Sequence, residues 1–154
     1  RGAPVVVHGD GTSRWTITHN TDFAVAFVGL LGRPEAVGDS FHITSDEAPT
    51  WDQIYCYLAE ALGVEAELVH VASETIAAAL PDLGPGLLGD KAHSMHFDNA
   101  KVKALVPEYQ ARVAFAHGAG EIVDWYLADA SRQQVDPDLD AAFDRLVDHA
   151  RTVV

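Results

Sequence analysis

Several groups of residues in this chain have the types and spacing that chemistry uses. Gly84-Pro85-Gly86-Leu87-Leu88-Gly89 has the G-x-G-x-x-G spacing with which a backbone cradles a dinucleotide pyrophosphate. That use needs a strand before it and a helix after it, so that phosphate meets free N–H groups at a helix N-terminus. Here an Ala-rich helical stretch and Pro81 precede it, and Gly89-Asp90-Lys91 follows without helical periodicity, so the spacing reads as coincidence. His93 and His96 form an H-x-x-H pair beside Asp90 and Asp98, yet no third His or Cys stands at zinc spacing, which argues against a metal site. Cys56 sits in an apolar helical pattern and reads as a buried structural thiol rather than a nucleophile. No G-x-S-x-G elbow occurs. Trp15 and His19 lie four residues apart in an extended stretch and therefore share one face. They either line a cleft, or put Trp15 in the core and His19 against backbone at the junction with the next helix. Asp22 reads as a helix cap rather than an acid.

The elements that must position these residues follow from turn and cap chemistry. Val5-Val6-Val7 reads as a short buried strand, followed by a Gly9-Asp10-Gly11 turn in which glycine tolerates positive φ. Trp15 to Thr18 can resume an extended path. Phe23, Phe27, Leu30 and Leu31 then recur at helical spacing, with Thr21 or Asp22 as cap and Gly32 with Pro34 as the stop. Phe41-His42-Ile43 is a brief alternation. Thr50-Trp51-Asp52-Gln53 is a capping box opening a helix that turns Ile54, Tyr57, Leu58, Ala61 and Leu62 inward and ends at Gly63. Leu68-Val69-His70-Val71 is a further strand, and Ser73 caps a short helix stopped by Pro81. From Pro81 to Asp98 a Gly/Pro-rich loop is expected, long enough to suggest ligand contacts. Helices follow over about 99–106, with Val102, Leu105 and Val106 inward, and over 117–130, with Ile122, Trp125 and Tyr126 inward. A last one, opened by Asp136-Pro137, carries Leu139, Phe143, Leu146, Val147 and Ala150 on one stripe. The fold class expected is α/β, α+β-like, helix-rich with several short strands and no complete Rossmann sheet.

Composition narrows the partners. With 154 residues one domain is expected. A formal net charge of -13, with ten scattered Lys and Arg, argues against nucleic acid. A single cysteine excludes an internal disulfide and suits a reducing compartment, so a cytoplasmic location is expected. No apolar run approaches the ~20 residues that span a bilayer, and Arg1-Gly2-Ala3-Pro4 lacks a signal peptide's hydrophobic stretch. A start without an initiator methionine fits a fragment, and processing or a tag produces the same start.

The segment Gly9-Asp10-Gly11 … His19-x-x-Asp22-Phe23-Ala24 resembles the GDG…H-x-x-D-(hydrophobic)-A stretch of extended short-chain dehydrogenases/reductases, the NAD-dependent epimerase/dehydratase family. Phe41-His42-Ile43-Thr44-Ser45 with Thr50-Trp51-Asp52-Gln53-Ile54 is similar to that family's strand-to-helix passage. Asp98-Asn99-Ala100-Lys101 with Pro107, Gly118 and Trp125-Tyr126 looks like its ending. The resemblance covers residues 4 to about 130 in order. It implies a substrate-binding portion over 1–130 followed by a C-terminal helix over 131–154. It also implies NAD or NADP on a preceding Rossmann domain that these residues do not include. The family's Tyr-x-x-x-Lys pair is absent, since Tyr55, Tyr57, Tyr109 and Tyr126 have Ala59, Ala61, Val113 and Ala130 four residues on. No catalytic or cofactor-binding residue is therefore assigned here, and the chain alone is expected to bind at most substrate. Arg14, Trp15, His19, Leu87, Lys91, His93 and His96 are the residues expected to face it. Nucleotide-sugar members commonly place an Arg four residues before the motif His, to bind the diphosphate. Trp15 stands there instead, which favours a smaller or more apolar sugar, sterol or carbonyl compound. A free-standing non-catalytic binding or dimerisation module is the rival reading. A chain cut from a larger domain should also expose an apolar face and pair with a second copy or with the Rossmann domain.

Overall fold

The computed structural model describes residues 2–153. Strand β1 (Val5–His8) pairs in parallel with β2 (Leu68–Val71), in a register that runs from Val5 opposite Leu68 to His8 opposite Val71. Both are strands the sequence predicts. Parallel neighbours need a crossover, and here it carries α1 (Asn20–Leu30) and α2 (Trp51–Ala61). One face of the pair is sealed by α3 (Ser73–Ala79) and by the C-terminal helix, whose Leu146 and Val147 meet Val6, Val71 and Ile76 in one core. A second core forms where α1 crosses α5, the helix Ala100–Leu105, through Ala26, Val102, Val106 and Tyr109. The helix-rich α/β class with an incomplete sheet is the architecture found.

Several helix starts follow the sequence. Gln53 N donates to Thr50 Oγ1 at 3.2 Å and Thr50 N to Gln53 Oε1 at 2.9 Å, completing the capping box. Asp136 Oδ1 accepts from Asp138 N and Leu139 N. Gly11 has φ +72°, and a Cβ there would stand 1.9 Å from Asp52 Oδ1, so the turn after β1 needs glycine twice over. Two caps differ. His19, not Thr21 or Asp22, caps α1, while Ala72 precedes α3 without a side-chain bond and Ser73 is already helical.

The buried faces differ more than the elements do. In α1 the buried residues are Asp22 and Ala26, whereas Phe23, Phe27 and Leu31 are exposed. The helix is apolar nearly all round, so periodicity could not select a face. Close approach selects it instead, because a Cβ on Gly29 would stand 2.5 Å from Val106 Cγ1. The helix Phe115–Leu127 behaves alike: Gly118, Ala119 and Val123 turn inward, and Ile122, Trp125 and Tyr126, expected inside, face out. Cys56 is exposed rather than buried, lying about 200° around α2 from buried Ile54 at 3.6 residues per turn. Leu62 and Leu139 are exposed as well.

Two further expectations are corrected. The segment 81–98 is in large part helical: a turn at Pro81–Leu83, α4 (Gly84–Gly86) and a π-turn at Leu87–Lys91 continue from α3. Neither Trp15–Thr18 nor Phe41–Ile43 belongs to a strand. Isolated bridges from Arg14 to Thr50 and from Trp15 to Met95 hold the first. Among the described residues no helix is long and apolar enough to cross a membrane.

The two glycine environments yield a paired expectation. Gly29→Ala gains about 1 kcal/mol of helix propensity but meets Val106, where overpacking costs about 1–3 kcal/mol, so its urea midpoint should fall. Gly120→Ala meets nothing within 4 Å and should raise the midpoint by about 0.5–1 kcal/mol equivalent. Equal shifts in the two variants would contradict this packing.

Candidate functional site

A groove of about 490 Å³ opens between the segment leading into α1 and α6 (Phe115–Leu127). Ile17, Thr18 and His19 form one wall, Val113 and Phe115 the base, and Gly118, Glu121, Ile122 and Trp125 of α6 the other wall. Apolar walls with a few converging polar groups are the usual make-up of a small-molecule site. Two acidic side chains shape the base: Val113 N donates to Asp22 Oδ2 and Phe115 N to Glu47 Oε2, each at 2.8 Å. Gly118 faces His19, and a Cβ there would stand at ordinary contact distance, 3.6 Å, from the imidazole.

His19 is the groove's polar centre. Its Nδ1 accepts from Thr21 N at 3.3 Å, and its Nε2 lies 2.9 Å from Glu121 Oε2. An accepting Nδ1 assigns the ring proton to Nε2, which then donates to Glu121. That hydrogen bond holds the Glu121 carboxyl below the ordinary glutamate value, with a smaller contribution from His117. His117 Nε2 stands 3.4 Å from the other carboxylate oxygen.

Trp15 contributes to a different cluster. Its ring lies 5.9 Å from Trp51, Lys91 Nζ sits 5.0 Å from its centroid, and His8 meets Trp51 edge-on at 5.2 Å. Arg14 turns away, with Nη1 donating to Ala48 O at 3.2 Å. Leu87 packs against the Val6–Leu146 core, and His93 and His96 are exposed and do not line the groove. Of the residues the sequence proposes, the structure thus places His19 in the groove and joins Trp15 with Lys91. It separates the remaining four from both. Among the described residues no group of three or more His, Cys, Asp or Glu is arranged to hold a metal ion. Sequence reasoning missed Glu121 and misjudged Trp125, although His117, Glu121 and Trp125 repeat every four residues and so mark one helix face.

No protein-family model matches the chain. It is 32% identical over 111 residues to 2'-dehydrokanamycin reductase of Streptomyces kanamyceticus, a match covering 72% of this chain and 31% of that protein. Among solved structures it is similar to UDP-glucuronic acid 4-epimerase from Bacillus cereus, in complex with NAD. The TM-score is 0.56 and the identity 19%, over 84% of this chain and 36% of that one. The chain therefore spans about a third of the length of either protein. The epimerase likeness is one of fold, and the reductase similarity is one of sequence over part of that protein.

A lowered carboxyl pKa stabilises the fold above the ordinary glutamate range, and the contribution fades as pH falls through the lowered value. In a carbon-detected NMR titration the Glu121 carboxyl should have a midpoint below that of an ordinary glutamate, and His19→Ala should raise it. An unmoved midpoint would remove the His19–Glu121 bond from the account.

Proposed function

We propose that the chain is the substrate-binding part of an NAD(P)-dependent oxidoreductase of the extended short-chain dehydrogenase/reductase, epimerase/dehydratase kind. It acts on a carbonyl or hydroxyl group of a sugar, nucleotide-sugar or related compound. The observation that carries this reading is the 32% identity over 111 residues with a reductase. The groove supports it, since Phe115, Ile122 and Trp125 offer apolar walls to a ring while His19 and Glu121 supply the polar contact that orients it. Trp15 stands where nucleotide-sugar members carry an Arg and offers no guanidinium to a diphosphate, which favours a less highly charged substrate.

The glycine-spaced segment 84–89 does not suit a nicotinamide dinucleotide. The one segment with the right glycine spacing folds into helical turns, and a Cβ on Gly84 would meet Ala77 Cβ at 3.3 Å, so that glycine serves packing between helical turns. The cofactor is assigned to a nucleotide-binding portion outside these residues, and no chemical step is placed on this chain alone. Such a portion is also the partner proposed for the exposed apolar face of α1, with a cytoplasmic location matching the lone thiol. That same face, with the Phe23 and Phe27 rings stacked 5.7 Å apart, favours the second reading: a non-catalytic module that pairs with its own copy.

Expression of the reading frame together with the codons upstream of Arg1, assayed for NADH or NADPH oxidation on keto sugars, tests the first reading. Turnover is expected from the longer product and not from residues 1–154. His19→Ala or Trp125→Ala should lower kcat/KM at least about tenfold, or ~1.4 kcal/mol. An upstream frame encoding no nucleotide-binding portion, or saturable NAD(H) binding by the 154 residues alone, would overturn it. Dimers of the 154-residue chain in light scattering, together with an empty upstream frame, would establish the second reading.

A further inference from the structure

The charges around the groove between the approach to α1 and α6 are of one sign. Glu121 is the one carboxylate among its lining residues, and no Lys or Arg lines it. Two more carboxylates stand behind its base, Asp22 and Glu47, which hold the Val113 and Phe115 amides. Guanidinium groups close by in sequence are engaged elsewhere. Arg112 donates to Gln110 Oε1 at 3.1 Å, and Arg132 donates to Trp125 O and lies 3.8 Å from Asp129 Oδ2. With its Nδ1 accepting, His19 is a neutral tautomer and leaves the Glu121 charge uncancelled. In a chain of net charge -13 such a groove draws cations and repels anions.

Glu121 and Trp125 are arranged to receive one. The His19 bond holds the Glu121 carboxyl ionised. A carboxylate has about four lone-pair sites, and His19 and His117 use two of them, at 2.9 and 3.4 Å, on a side chain that is 55% exposed. One helical turn on, Trp125 lines the same wall and is itself largely exposed. Its ring already holds a cation, since the Arg132 guanidinium lies 4.1 Å from its centroid, and Arg132 is not among the groove's lining residues. An aromatic ring attracts a cation through its face, and a carboxylate beside it adds the countercharge. Phe115 and Ile122 supply apolar surface for the ring that carries the cation.

We propose that the groove selects a ring bearing a protonated amine, an amino-substituted sugar or carbocycle, whose ammonium group pairs with Glu121 and rests against Trp125. This names the substrate class of the site described above, and it rests on the oxidoreductase reading for the statement that the bound ring is a substrate.

The test is an NMR titration of the 154-residue chain at neutral pH, following the Trp125 indole N–H and the Ile122 methyl signals. Each amine is paired with its hydroxyl twin: cyclohexylamine with cyclohexanol, and methyl 6-amino-6-deoxy-α-D-glucopyranoside with methyl α-D-glucopyranoside. At least one amine should give a saturable shift and bind about fivefold more tightly than its twin, the worth of one exposed ion pair. Glu121→Gln should abolish that preference while keeping an acceptor for His19. Trp125→Leu, read on the Ile122 methyl, should reduce it and serves as the test if the Gln variant fails to fold. No saturable response to either amine, equal affinities within both pairs, or a preference intact in Glu121→Gln would overturn the proposal. These failures leave the oxidoreductase reading standing, because that reading falls only on the upstream reading frame or on NAD(H) binding by the chain alone.

Discussion

The hydrogen bonds by which buried or half-buried side chains take the place of strand partners are the constraint on which the rest of this structure depends. Among the described residues only two four-residue strands form, yet the segments 13–19, 41–50 and 106–114 run as irregular backbone beside the core. Their buried N–H and C=O groups need partners as much as any ladder does. Asp22 and Glu47 accept from Val113 N and Phe115 N. Asn99 Nδ2 and Tyr109 Oη both donate to Thr44 O, at 2.7 and 2.9 Å, and Ser45 N donates to Thr18 Oγ1 at 2.8 Å. Bonds to a carboxylate contribute about 1.5–3 kcal/mol each, enough to fix a segment that repetitive structure does not. The groove exists because these bonds hold its base against α1 and hold the approach to His19 in place.

Local chemistry was legible in the sequence wherever one residue type has one use. Thr50 and Gln53 announce a capping box, Asp136-Pro137 a helix start, Gly11 a turn, and Val5-Val6-Val7 and Leu68-Val69-His70-Val71 strands; all are found. Which face of a helix turns inward was legible only where polar residues mark the outside, as in α7 (Pro137–Val153). In α1 and α6 the apolar residues go nearly all the way round, and backbone approach decides. Gly29 admits a neighbour, Gly118 and Ala119 turn inward, and the aromatic residues are left facing out. The same rule hid part of the site. Trp125 reads as core by hydropathy and is a wall because Gly118 and Ala119 took the inner face, while Glu121 matters through His19, 102 residues away in sequence.

Helices that are apolar on every side belong in an interior, and α1 is covered on one side only, by Val102, Val106 and Tyr109. Its other side carries Phe23, Val25, Phe27, Val28 and Leu31, a contiguous kind of surface that soluble monomers seldom leave open. This asymmetry accords with a chain spanning about a third of each relative's length. The core that the chain does close, around the parallel pair and α7, lies elsewhere.

Amide hydrogen exchange at Val113 and Phe115 tests the central claim most directly. Both lie in irregular backbone or at a helix start, where an N–H without a partner exchanges at nearly the rate of an open chain. The account predicts that both are protected to a degree approaching that of the β1 amides, and that Asp22→Ala abolishes protection at Val113 while leaving β1 unchanged. Free exchange of both amides in the unsubstituted chain would contradict it.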